Sequence, residues 1–231
     1  MGHRVAAGRK KCAAARARHP TADARHVIIR AIMQLRPRMR LSLPFALLAC
    51  LALAGCSPRP QVWNGTAYEN PPTAPTLPVT STGSDPTSDP DLTGHVSLIY
   101  FGYTHCTDFC PATLAIVAEL FERLGDEADD VRFYFVTVDP ERDTADALTA
   151  YLDQFDSRLI GVRPDPEALP PLLAGYAATA FLDPDHADEG IIAHTTRLFL
   201  VDKVGKLRAH YPFDTSAVDL LADVRYLLRQ G

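Results

Sequence analysis

The chain is 231 residues long with a formal charge of −5, and that modest value hides a steep asymmetry. Residues 1–56 hold eleven Lys/Arg against one Asp, whereas the remainder holds twelve Lys/Arg against twenty-seven Asp/Glu. A basic stretch running straight into an apolar one has the pattern of an export signal, which excludes a nucleic-acid-binding arm and leaves nucleic acid off the expected partners.

The apolar stretch is Leu41 to Ala54, interrupted only by Ser42 and Pro44. At about fourteen residues it is short for a membrane-spanning helix, which needs ~20, and right for the core of a signal peptide. It ends in Leu53-Ala54-Gly55-Cys56, which resembles the bacterial lipobox, where cleavage leaves the cysteine as a lipidated N-terminus. Cys56 is therefore the expected lipidation site, with an ordinary signal peptide or an uncleaved short anchor as the competing readings. Ser57 is not the aspartate that often holds such proteins at the inner membrane, so the choice of membrane stays open. Residues 1–38 are rich in Arg and Ala and precede Met39-Arg40, a normal start for a signal of this kind. Translation from Met39 or Met33 accounts for this, as does a long cytoplasmic extension; in neither case does the stretch carry a fold. The expected location is extracytoplasmic, on the periplasmic side, as a membrane-anchored lipoprotein.

Residues 57–93 are rich in Pro, Ser, Thr and Asp and hold too little apolar surface to fold alone, so they read as a flexible tether. Within them Thr76 to Thr80 is a candidate edge strand, the sheet position that tolerates proline. From there the domain 94–231 is regular. Val96 to Tyr103 reads as a buried strand, and Pro111 to Leu124 as a helix with Leu114, Val117, Ala118, Leu120, Phe121 and Leu124 at helical spacing. Val131 to Val138 is a second strand, and Thr144 to Phe155 a helix capped by Asp143 or Thr144. A short strand follows at Leu159 to Val162, then a proline-interrupted helical stretch from Asp165 to Ala178. Arg197 to Asp202 and Lys206 to His210 flank Lys203-Val204-Gly205 as a hairpin, and Asp214 opens a last helix to Arg229. This order predicts an α/β fold, a central mixed sheet flanked by helices, and about 135 residues suffice for one core.

The chemistry concentrates in Phe101-Gly102-Tyr103-Thr104-His105-Cys106-Thr107-Asp108-Phe109-Cys110-Pro111. Two cysteines four apart share a helix face, and a helix N-terminus favours the thiolate form. Of five cysteines, Cys12 and Cys50 fall in the removed portion and Cys56 in the lipid anchor, leaving Cys106 and Cys110 as a pair. A disulfide framework would need more bridges, so the pair reads as reactive. Soft-metal binding, thiol redox chemistry and a structural disulfide all fit that spacing. A reactive pair at the first strand-to-helix junction is also the thioredoxin arrangement.

These residues, with Phe135-Val136-Thr137-Val138-Asp139-Pro140-Glu141-Arg142-Asp143-Thr144 and with His194 ahead of Leu198-Phe199-Leu200-Val201-Asp202, resemble the Sco/SenC family. The resemblance runs from Val96 to Leu228. It implies a thioredoxin-like fold and a role in assembling cytochrome c oxidase. It also implies one copper ion held by Cys106, Cys110 and His194, with His194 in a loop before its strand. Thiolates suit Cu(I), and an added imidazole lets the same site hold Cu(II). His105 adjoins Cys106, but adjacent side chains diverge, so one ion does not easily take both. His186 is a weaker candidate, and His95 and His210 are expected to face solvent. Asp139 ends an apolar strand at the edge facing the site and reads either as a carboxylate that orients a ligand or as part of an Asp-Pro turn.

The resemblance implies a copper chaperone that delivers its ion to the binuclear centre of cytochrome c oxidase subunit II. Another copper donor or a thiol reductant is then a further partner. The alternative is an extracytoplasmic thiol-disulfide reductase in which Cys106 and Cys110 are themselves the redox-active groups. Three features depart from the family pattern. Thr107 stands where proline often follows the first cysteine, Ala193 where an acidic residue usually precedes the histidine, and the segment before Val96 lacks the usual alternating lead.

Overall fold

The computed structural model describes residues 61–77, 81–82 and 92–230. Cys12, Cys50, Cys56, the stretch 1–56 read as a signal, and residues 57–60, 78–80 and 83–91 of the expected tether lie outside them. Among the described residues no helix is long and apolar enough to cross a membrane.

The sheet is built around the two apolar runs of the sequence. Strand β3 (Val96–Gly102) is buried along its whole length and pairs in parallel with β4 (Val131–Thr137), Val96 opposite Val131 and Gly102 opposite Thr137. A strand covered on both faces has no polar side to alternate with, which is why these runs are mostly apolar, with Ser97 in β3 and Arg132 and Thr137 in β4 as the polar residues. Strand β5 (Ile160–Val162) continues the parallel set beside β4. The hairpin of β8 (Leu198–Val201) and β9 (Leu207–Tyr211) adds antiparallel pairing on the other side of β3. Its turn is closed by the Asp202 carboxylate, which accepts from the N–H groups of Val204 at 3.1 Å and Lys206 at 2.8 Å, with Gly205 at φ +74°. Two short strands, β1 (Thr66–Ala67) against β9 and β2 (Ser81–Thr82) against β5, complete the order β1-β9-β8-β3-β4-β5-β2. The sheet is mixed, as expected.

Four helices flank it: α1 (Phe109–Leu124), α2 (Ala145–Leu152), α3 (Leu169–Gly175) and α4 (Ala217–Leu228). Helix α1 buries Leu114, Val117, Leu120, Phe121 and Leu124 of the expected stripe, together with Cys110, leaves Ala118 half-buried, and packs against α4. Thr144 caps α2 through the N–H of Ala147, while the Asp143 side chain is engaged elsewhere. The prolines near 170 do not interrupt α3. They sit in its first turn, where a missing N–H costs nothing.

Three expectations need correction. Residues 61–77, read as tether, pack along the domain: Ala74 and Leu77 are buried, the N–H of Tyr68 donates to Arg208 O, and that of Leu207 to Pro72 O. Their apolar residues are too widely spaced to give a period, and the pairing surface is supplied by β9. The edge strand expected at Thr76 to Thr80 lies at Ser81–Thr82, whereas Thr76 and Leu77 carry no strand and 78–80 lie outside the described residues. His194 is not in a loop but ends β7 (Ile192–His194), which pairs antiparallel with β6 (Ala180–Leu182) in a separate two-stranded sheet. Three-residue strands are too short for alternation to show.

Candidate metal centre

The sulfur of Cys106 comes from the turn between β3 and α1. That turn is closed by the N–H of Cys106 on Tyr103 O at 3.2 Å. Helix α1 starts at Phe109 with no side-chain cap from Asp108. Instead the N–H of Cys110 donates to the Cys106 sulfur at 3.4 Å, so the sulfur stands where a capping anion would. Cys110 projects from the first turn of α1 and is fully buried. A Cβ on Gly102 would lie 2.8 Å from the Cys110 sulfur and from the Phe135 ring, so only glycine lets β3 pass this close.

His194 reaches the same point from β7. Its Nε2 is 3.7 Å from the Cys110 sulfur, and its Nδ1 is 3.1 Å from Thr195 O. A carbonyl only accepts, which puts the proton on Nδ1 and turns the Nε2 lone pair toward the sulfurs. Thr195 O thus orients the imidazole without a carboxylate at position 193. The rings of Tyr100 and Tyr103 pack edge-on against the imidazole at 6.1 and 5.7 Å between centroids. The Tyr100 hydroxyl also donates to the Cys110 sulfur at 3.9 Å. The donor atoms of Cys106, Cys110 and His194 all lie within 4.8 Å of one another, and both thiols are free.

The two sulfurs are not equivalent. Hydrogen bonds from the Cys110 thiol and from the backbone at the start of α1 hold the Cys106 thiol far below the usual range. Cys110 donates to that thiolate and is buried beside it, so its own thiol is pushed far up. Cys106 and His194 line an open cleft of about 480 Å³ together with Phe109, Ile191 and Ile192, and Cys110 lies buried behind it.

His105 points away from the trio, as adjacency required. Its Nδ1 is 3.1 Å from Thr104 Oγ1 and 3.7 Å from Asp143 Oδ1, and it groups with Asp139 and Asp143 instead. That group is a poor cation site because its oxygens are taken. The Asp139 carboxylate is paired with Arg142, and the buried Asp143 carboxylate accepts from Thr104 and Thr137. His186 pairs with Asp183 at 3.2 Å. His210 does not face solvent. It is half-buried between Tyr68 and Phe199, and burial lowers its pKa. Tyr100, Gly102, Asp143 and Thr195 all shape the centre, and none carried a readable signal except Gly102, a glycine inside an apolar strand.

Comparison with known proteins decides the family. The SCO1/SenC profile matches residues 67–229. The chain belongs to the SCO1/SenC family. A neighbour of the same fold at 23% identity, BsSco, is itself named a member of the Sco family of cytochrome c oxidase assembly proteins. The present chain is 33% identical over 132 residues to an SCO2-like protein of Rickettsia prowazekii, a match covering 56% of the chain and 64% of the relative. The chain therefore spans a little under two thirds of that relative. The structure of Bradyrhizobium japonicum ScoI with copper bound is similar at a TM-score of 0.55 and 33% identity, covering 59% of this chain and 87% of that one. Arabidopsis thaliana ScoI with copper bound gives 0.56 at 27% identity, covering 61% and 88%. The thioredoxin-like fold of these Sco proteins is the fold of this family member.

Proposed function

We propose that this Sco protein is a copper chaperone, holding one copper ion as cargo at Cys106, Cys110 and His194. The observation that carries the reading is the convergence of two free thiols and one correctly turned imidazole within 4.8 Å. The donor set fits the metal: soft sulfurs for Cu(I), with imidazole nitrogen added for Cu(II). A structural zinc site would usually recruit a fourth protein ligand, and none joins this group among the described residues. The recipient is the binuclear copper centre of cytochrome c oxidase subunit II, reached by ligand exchange in which acceptor thiolates replace those of the donor. The open cleft gives an acceptor access to the Cys106 side. Lipidation at Cys56 would tether the domain on the periplasmic side, within reach of a membrane-bound acceptor.

The inequality of the two sulfurs favours a second reading, the thiol-disulfide reductase. Cys106 is the thiolate at the cleft and would attack a target disulfide; Cys110, protonated behind it, would resolve the mixed disulfide once deprotonated. One pair of assays separates the readings. Copper transfer to the soluble domain of subunit II and disulfide exchange with the same domain are measured for wild type and His194→Ala. The chaperone reading expects transfer to fail in His194→Ala. Transfer unchanged by that substitution, or exchange without any transfer in wild type, contradicts it.

A further inference from the structure

The Asp143 carboxylate is one of two that are wholly buried among the described residues. It lies beyond β4, outside the trio, and the reading above gives it no task. A carboxylate so deep is costly unless its oxygens are well satisfied. Its donors are the hydroxyl of Thr104 at 2.5 Å, the N–H of Thr104 at 3.1 Å and the hydroxyl of Thr137 at 2.5 Å. Thr137 is the last residue of β4 and stands opposite Gly102, the last of β3. Thr104 is the centre of the turn that delivers Cys106. One carboxylate thus pins that turn, by backbone and side chain, to the end of the neighbouring strand.

We propose that Asp143 is a positioning residue for the centre, fixing the Tyr103–Cys106 turn so that the Cys106 sulfur meets Cys110 and His194. The proposal concerns the thiol pair first, and its copper consequence rests on the chaperone reading. The two sulfurs sit on different pieces of backbone: Cys110 on a helix held by its packed apolar stripe, Cys106 on a turn. The turn has one internal backbone hydrogen bond, from Cys106 N to Tyr103 O. The Asp143 bonds to Thr104 tie that turn to the end of β4. An Asn at 143 keeps the shape but presents an amide donor where one oxygen accepted, so the N–H or a hydroxyl of the threonines loses its partner.

The test compares full-length wild type, Asp143→Asn, Thr104→Val and Thr104→Ser, with Asp223→Asn as control. Asp223 is the other wholly buried carboxylate; it sits on α4 and accepts from Asn64 of the lead and from Tyr211 of β9. Two quantities are read: the rate at which the reduced pair closes in oxidised glutathione, and Cu(II) affinity with its thiolate-to-copper absorption band. Asp143→Asn and Thr104→Val are expected to change the closure rate at least fivefold and to weaken copper about 10–100-fold, the usual scale for outer residues of a metal site. Thr104→Ser and Asp223→Asn should stay within twofold of wild type on both. If Asp143→Asn does not fold, Thr104→Val decides. A closure rate unchanged in the folded variants, or changed equally by Asp223→Asn, overturns the proposal. A closure rate shifted in Asp143→Asn and Thr104→Val while the wild type binds no copper upholds it and overturns the copper reading instead.

Discussion

At the scale of single residues, the inequality of the two sulfurs has a direct chemical consequence. Because Cys106 is held below and Cys110 above the usual thiol range, a window of pH exists in which only Cys106 is thiolate. Raising pH through the ordinary thiol range therefore adds little to Cys106 reactivity, since it is already ionised. At pH 6, iodoacetamide should modify Cys106 well ahead of Cys110, as peptide mass spectrometry would show; equal labelling or Cys110 first would contradict the assignment. Gly102 makes a second prediction at this scale. In Gly102→Ala the new methyl would meet the Cys110 sulfur and the Phe135 ring at 2.8 Å, with a packed strand behind it. Overpacking of this kind costs about 1–3 kcal/mol, measurable by urea unfolding, and displaces the sulfur that His194 faces. Full stability in Gly102→Ala would mean that β3 and α1 have slack that the geometry does not show.

Elements were legible in proportion to their length and burial. The strands β3 and β4 and helix α1 are each seven or more residues long, so the α/β frame followed from periodicity, while the thioredoxin-like fold was implied by the family resemblance. The closeness of Cys106 and Cys110 was readable from their spacing, but not through a shared helix face: α1 starts at Phe109, and Cys106 lies on the turn ahead of it. His194 was identified through family resemblance, and its strand was missed because β6 and β7 are three residues each and acquire their pairing only from one another. The lead was misread because what orders it is distant in sequence. Asp223 on α4 accepts from Asn64 N at 2.9 Å, Tyr211 Oη at 2.9 Å, and the side-chain amides of Gln61 and Asn64 at 3.2 Å. No local composition reports a partner some 160 residues away. Asp223→Ala should thus release the lead: amides of residues 61–68 lose hydrogen-exchange protection, and the domain loses about 1–3 kcal/mol for the buried donors left behind. Protection retained there would show that β1 and the packing of Trp63 hold the lead without the carboxylate.

For the molecule as a whole, the fold supplies three independent supports that meet at one point: a turn, a helix and a small satellite sheet. A ligand that binds only this assembled arrangement must stabilise it by mass action, by about 2.7 kcal/mol at a free concentration one hundred times its dissociation constant. Copper should accordingly raise the unfolding temperature of the reduced protein, and this rise should vanish in His194→Ala and in the Cys106→Ser/Cys110→Ser double variant. The most direct test of the central claim is stoichiometric. Cu(I) and Cu(II) are titrated into the reduced protein beside those same variants. The account predicts one tightly bound copper per chain, abolished in the double cysteine variant and strongly weakened in His194→Ala. Weak or absent binding in the wild type, or binding indifferent to His194, would contradict it.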